Sequence, residues 1–123
     1  MDDLQIAHKL ADIAQSISLS RFGAIDLKII TKPDLTPVSD ADKSAEEKIR
    51  EYLDEVAPED GVIGEEFGEK KSQNDRQWIL DPIDGTKNYI RGVPIWANLI
   101  AIRVNGIVTT GVVNAPAIGR RWY

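Results

Sequence analysis

Two segments of helical period followed by a series of strand-type segments predict an α/β protein built in layers, with helices packed on a largely antiparallel sheet. The first observation is Leu4, Ala7, Leu10, Ala11, Ala14 and Ile17, which fall on one face of a helix. The second is a similar stripe, Ala41, Ala45, Ile49, Leu53 and Ala57. The third is Asn105-Gly106 between two apolar runs, a strong two-residue hairpin signal.

Residues 4–19 form the first expected helix, and Gly23 marks its end. The only histidine, His8, has no neighbouring Cys or His and reads as a surface or packing residue. Residues 24–38 hold two prolines in Lys32-Pro33-Asp34-Leu35-Thr36-Pro37, which predicts a loop after a short extended piece: a lid or arm, or a plain connector. Ser39 caps the second helix, with Asp42 as its capping-box partner, and Pro58-Glu59-Asp60-Gly61 ends it in a turn. Val62-Ile63-Gly64 is a short strand leading into Glu65-Glu66-Phe67. Residues 68–76 are polar and read as a solvated excursion.

Gln77 to Asp81 reads as a strand that should stop there, because Pro82 has no N–H to give a ladder. Trp96–Val104 and Ile107–Val113 are the arms of the hairpin. Asn114-Ala115-Pro116 turns the chain again, and Gly119–Tyr123 begins a further extended piece.

The 123 residues suit one domain with a modest core. Fifteen Lys and Arg against 20 Asp and Glu give a net charge of −5, which argues against a general nucleic-acid binder. A small anionic substrate handled through a cation stays open. The absence of cysteine excludes disulfides, zinc–thiolate sites and a Cys nucleophile. Met1-Asp2-Asp3 is acidic and lacks the apolar core expected of a signal sequence, and the best apolar run, Val93 to Ile102, is interrupted by Asn98. A soluble cytoplasmic protein without a membrane partner is the expectation.

The chemistry concentrates in Trp78-Ile79-Leu80-Asp81-Pro82-Ile83-Asp84-Gly85-Thr86-Lys87-Asn88-Tyr89. Asp81 and Asp84 flank a proline break, and Gly85-Thr86 can open a helix with free N–H groups. Carboxylates gather hard cations, and helix N-termini attract phosphate. A plain Asp-Gly turn is the bland alternative. Glu65 and Glu66 at another strand end, and Asp42 in a helix, weigh against it. An all-oxygen set of Glu65, Asp81 and Asp84 favours Mg²⁺ or Mn²⁺ over zinc. No P-loop and no Gly-x-Ser-x-Gly elbow is present. Asp40-Ala41-Asp42 resembles an Asp-x-Asp phosphatase nucleophile but lacks the buried strand before it. Paired carboxylates for glycoside hydrolysis are a minor option.

Gly64-Glu65-Glu66 followed by the Asp-Pro-Ile-Asp-Gly-Thr string resembles the inositol monophosphatase family of Mg²⁺-dependent phosphatases, over essentially the whole chain. Lys32 to Asp42, Arg91-Gly92-Val93-Pro94-Ile95-Trp96-Ala97, Asn114-Ala115-Pro116-Ala117 and Gly119-Arg120-Arg121-Trp122 narrow the resemblance to its histidinol-phosphatase branch. The resemblance implies a layered αβαβα fold, of which this chain would be the N-terminal half. It implies that Glu65, Asp81 and the Ile83 carbonyl hold one Mg²⁺, and that Asp81 and Asp84 hold a second, with Mn²⁺ as a substitute. Glu65 would also touch a third, loosely bound ion. Asp42 and Thr86 would activate water, and the Gly85 and Thr86 N–H groups would bind phosphate.

The implied reaction is hydrolysis of a small phosphate monoester, L-histidinol phosphate first, an inositol or other sugar phosphate second. Family members are about twice as long, and their later half supplies a further aspartate. Asp12, Asp26, Asp54, Asp60 and Asp75 match no such motif. The expectation is therefore a half-enzyme that self-associates or pairs with a C-terminal half. A non-catalytic fragment that binds metal weakly is the reading from a different class.

Overall fold

The computed structural model describes every residue, Met1–Tyr123. Helix α1 (Asp3–Arg21) starts at a capping box in which Asp2 and Gln5 satisfy each other's backbone N–H groups. Its buried stripe is Ile6, Ala7, Leu10, Ala11, Ala14 and Ser18. The expected stripe is thus rotated: Leu4 is exposed, and Ser18 takes the inner place beside Ile17. Three alanines on that face let α1 lie close to helix α2 (Asp40–Val56), which begins at the predicted Ser39–Asp42 capping box.

Between the helices, β1 (Ile29–Thr31) and β2 (Pro37–Ser39) form a small antiparallel hairpin rather than a loop. Leu35 supplies the left-handed residue of its turn, at φ 69°.

The main sheet has six strands: β3 (Gly61–Gly64), β4 (Gly68–Lys70), β5 (Arg76–Asp84), β6 (Ala97–Val104), β7 (Ile107–Ala115) and β8 (Arg120–Trp122). Their spatial order is β4-β3-β5-β6-β7-β8. All neighbours are antiparallel except β3 and β5, which run parallel because β4 folds back on the outer side of β3. The solvated excursion therefore contains β4, whose charged residues suit an edge strand. Asn105 and Gly106, at φ 51° and 79°, make the predicted tight turn between β6 and β7.

Trp78, Leu80, Ile100, Ile102, Val62 and Val112 point to one face of the sheet, where Leu10, Ile49 and Leu53 cover them. The strand alternation puts Ile63, Ile79, Leu99, Ala101 and Val113 on the other side, lining an open apolar depression of about 570 Å³. Asp60, buried at the start of β3, accepts hydrogen bonds from Trp78 Nε1 at 2.9 Å and Arg76 Nε at 3.2 Å, fixing one end of the sheet. His8 packs edge-on against Tyr123 and meets Arg121 at 3.1 Å, the packing role expected of it. No helix is long and apolar enough to cross a membrane.

One expectation fails at the most informative place. Strand β5 runs through Pro82 to Asp84 instead of stopping at Asp81. The register with β6 shifts between Asp81 and Asp84, so Pro82 and Ile83 sit in a bulge. A bulge asks for no ladder N–H, which is where proline is tolerated.

Candidate active site

The bulge re-aims the end of β5. Asp81 and Asp84 come to the same cleft while Ile83 turns inward against Ala41, Tyr89 and Trp96. Asn98, fully buried on β6, donates to the Pro82 carbonyl at 2.7 Å. Asn114 donates to Asn98 Oδ1 at 2.9 Å, and Arg121 Nε to Asn114 Oδ1 at 2.9 Å. A polar chain thus runs from β8 to the bulge. Sequence reasoning saw Asn98 only as an interruption of an apolar run.

Gly85 follows at φ 87°, a left-handed conformation that starts helix α3 (Thr86–Ile90). A side chain there would also press the Ile95 carbonyl at 3.2 Å. The Thr86 hydroxyl lies 3.0 Å from Asp42 Oδ1 and 3.1 Å from the Ile83 carbonyl. Asp42 Oδ2 accepts from the Ser39 N–H at 2.9 Å and from the Ser39 hydroxyl. The capping box therefore holds one oxygen of Asp42 and leaves the other to Thr86.

Asp42, Glu65, Asp81, Ile83, Asp84, Gly85 and Thr86 all line one open cleft of about 350 Å³, so every predicted site residue is brought to one place. The cleft also contains Glu66, Lys87, and Lys32, Asp34, Thr36 and Pro37 from the β1–β2 hairpin. Lys32 Nζ is 3.1 Å from Glu66 Oε1, which ties the hairpin to the turn after β3. The two prolines around Asp34 were the sequence signal for this arm. Asp40, by contrast, is engaged by Arg21 at 2.9 Å and lies outside the cleft, which removes the Asp-x-Asp nucleophile reading.

The electrostatics are those of crowded anions. Burial first, and then the charges of Glu65, Asp84 and Asp42, push the Asp81 carboxyl up to about 7. Burial also raises Glu66, with Lys32 opposing it. Six carboxylates against two lysines make an oxygen-rich, negative cleft, which fits a hard divalent cation. The carboxylates line the cleft without closing on one point: no three of them stand close enough together to clasp an ion.

The model of the inositol monophosphatase family matches residues 2–123. The chain is 57% identical to a histidinol-phosphatase of Mycobacterium tuberculosis over 122 residues, 99% of this chain and 47% of that protein. A Streptomyces coelicolor histidinol-phosphatase is 55% identical, across 100% of this chain and 47% of its own length. Among solved structures, the Thermotoga maritima IMPase superposes with a TM-score of 0.89 at 32% identity, covering 98% of this chain and 47% of that one. An inositol monophosphatase from Zymomonas mobilis gives a TM-score of 0.80 at 40% identity, over 98% and 46% of the two chains. The chain spans about half the length of the curated relatives it matches.

Proposed function

The chain belongs to the inositol monophosphatase family, and we propose that its cleft is the core of a Mg²⁺-dependent phosphomonoesterase acting on L-histidinol phosphate. The observation that carries the chemistry is the meeting of the Asp42–Thr86 pair with Asp81, Glu65 and Asp84 in one cleft. Glu65, Asp81 and the Ile83 carbonyl would hold one cation, and Asp81 with Asp84 a second. When bound, such ions lower the pKa of water and offset charge on the leaving oxygen.

The protein's own groups handle the proton. Thr86 has one hydroxyl proton and two acceptors, Asp42 and the Ile83 carbonyl. Once the carbonyl is otherwise engaged, the proton goes to Asp42, and the Thr86 lone pairs face the cleft to orient a water. Asp42 then accepts the proton that the water passes through Thr86. Gly85 and Thr86, at the start of α3, would offer backbone N–H groups to the phosphate oxygens.

The substrate assignment rests on likeness to the two histidinol-phosphatases. An inositol phosphate is the second reading, supported by the 40% identity to the Zymomonas mobilis enzyme. The test is phosphate release with Mg²⁺ by this chain together with the C-terminal span its relatives carry. A higher kcat/KM for histidinol phosphate than for inositol 1-phosphate is expected. The reverse order would overturn the substrate and leave the metal chemistry standing.

A further inference from the structure

Glu46 is a fully buried carboxylate that the chemistry above does not use. It sits on α2 one turn after Asp42. Its Oε1 accepts the Glu66 N–H at 2.9 Å, and its Oε2 accepts the Phe67 N–H at 2.9 Å and Arg50 Nε at 3.0 Å. Arg50 also donates to the Gly68 carbonyl. Gly64 completes the fit: a Cβ there would come within 2.4 Å of the Glu46 carboxylate. The turn from Gly64 to Gly68, with Glu65 in it, is thus held by Glu46 at Gly64, Glu66 and Phe67 and by Arg50 at Gly68.

Resting on the metal-site reading above, we propose that Glu46 is a positioning residue that fixes the backbone of the β3–β4 turn so that Glu65 faces the cleft ready for a divalent cation. Helix α2 then places both halves of the site. Asp42 holds the turn after β5 through Thr86, and Glu46 holds the turn after β3, one helical turn away. A buried charge costs free energy unless it is paired and hydrogen-bonded, and here three donors meet it. Glu65 itself is exposed, so its direction depends on the backbone that carries it.

The test is Mn²⁺ binding to the 123-residue chain, read from the paramagnetic resonance of free Mn²⁺, beside amide exchange at Glu66 and Phe67. Glu46→Gln keeps the shape but leaves one of the two N–H groups facing an NH₂. Glu46→Asp keeps the charge but draws the carboxylate back from both. Both variants are expected to retain the native near-ultraviolet signal of the buried Trp78 and Trp96, to exchange faster at the turn, and to bind Mn²⁺ about 10- to 100-fold more weakly. Native affinity in either folded variant overturns the proposal: in Glu46→Asp alone it would mean that charge, not position, matters. Loss of folding in both would make Glu46 a core element and overturn it too. A wild-type chain that takes up no Mn²⁺ overturns the metal-site reading, and this proposal with it.

Discussion

The Thr86 hydroxyl lies 3.0 Å from Asp42 Oδ1, a hydrogen bond between residues 44 positions apart that joins the start of α3 to the first turn of α2. It links the turn after β5 to a helix whose cap already fixes Asp42. Removing the hydroxyl by Thr86→Ala should lower kcat by about 10²–10⁴-fold, the usual contribution of a positioned proton-transfer group. Mg²⁺ affinity, measured by calorimetry, should stay near wild type. A variant that loses metal affinity first would make the hydroxyl a structural cap for α3.

Asp81→Asn separates function from stability. The amide keeps the shape and removes the charge that two cations would share. In the chain joined to the C-terminal span its relatives carry, phosphate release should fall by orders of magnitude. The metal-free protein should unfold at a higher temperature than wild type at pH 8, because burial and the neighbouring carboxylates oppose ionisation of Asp81. Wild-type turnover, or a lower unfolding temperature at pH 8, would contradict this.

The pH dependence has a definite sign. Asp81 is raised in the fold, to about 7 against an ordinary 3.8. The folded state therefore holds its proton more tightly than the unfolded chain. This contribution is fully present below the ordinary value and is lost as pH rises through about 7. Glu66, raised by burial, acts in the same direction. Metal-free protein should lose thermal stability between pH 4 and pH 7, less steeply in Asp81→Asn. Saturating Mg²⁺ should reverse the trend, which thermal scans with and without the ion would show.

How much of this was legible beforehand follows from the range of the interactions. The Ser39–Asp42 box, the Asn105-Gly106 turn and both helices are local patterns, and each stands where the sequence puts it. That Asp81, Asp84, Gly85 and Thr86 share one cleft was also legible, because they belong to the contiguous string Asp-Pro-Ile-Asp-Gly-Thr. What was missed depends on tertiary pairing. Pro82 suggested a strand end, yet the partner strand β6 makes room for a bulge. Residues 68–76 looked like solvent-exposed chain, yet β3 offers an edge to pair with. Glu46 hides among Ala45 and Ile49, a charge on an apolar stripe whose backbone N–H partners, Glu66 and Phe67, belong to the distant β3–β4 turn.

Asn98 offers a check on the bulge itself. Asn98→Leu would strip hydrogen bonds from the Pro82 carbonyl and from Asn114, all of them buried. Buried groups left unpaired cost about 1–3 kcal/mol. Urea denaturation should show a loss of that size with an unchanged m-value. A loss no larger than an exposed substitution would give would mean that the bulge is held by the backbone alone.

The most direct test of the central claim is a Mg²⁺ titration of this chain against Asp81→Asn, followed by calorimetry at pH 7.5. The account predicts saturable binding to the wild type and its loss in the variant, with the fold of both intact. Equal binding by the two chains would contradict the assignment of Asp81 as the residue around which the metal site is built.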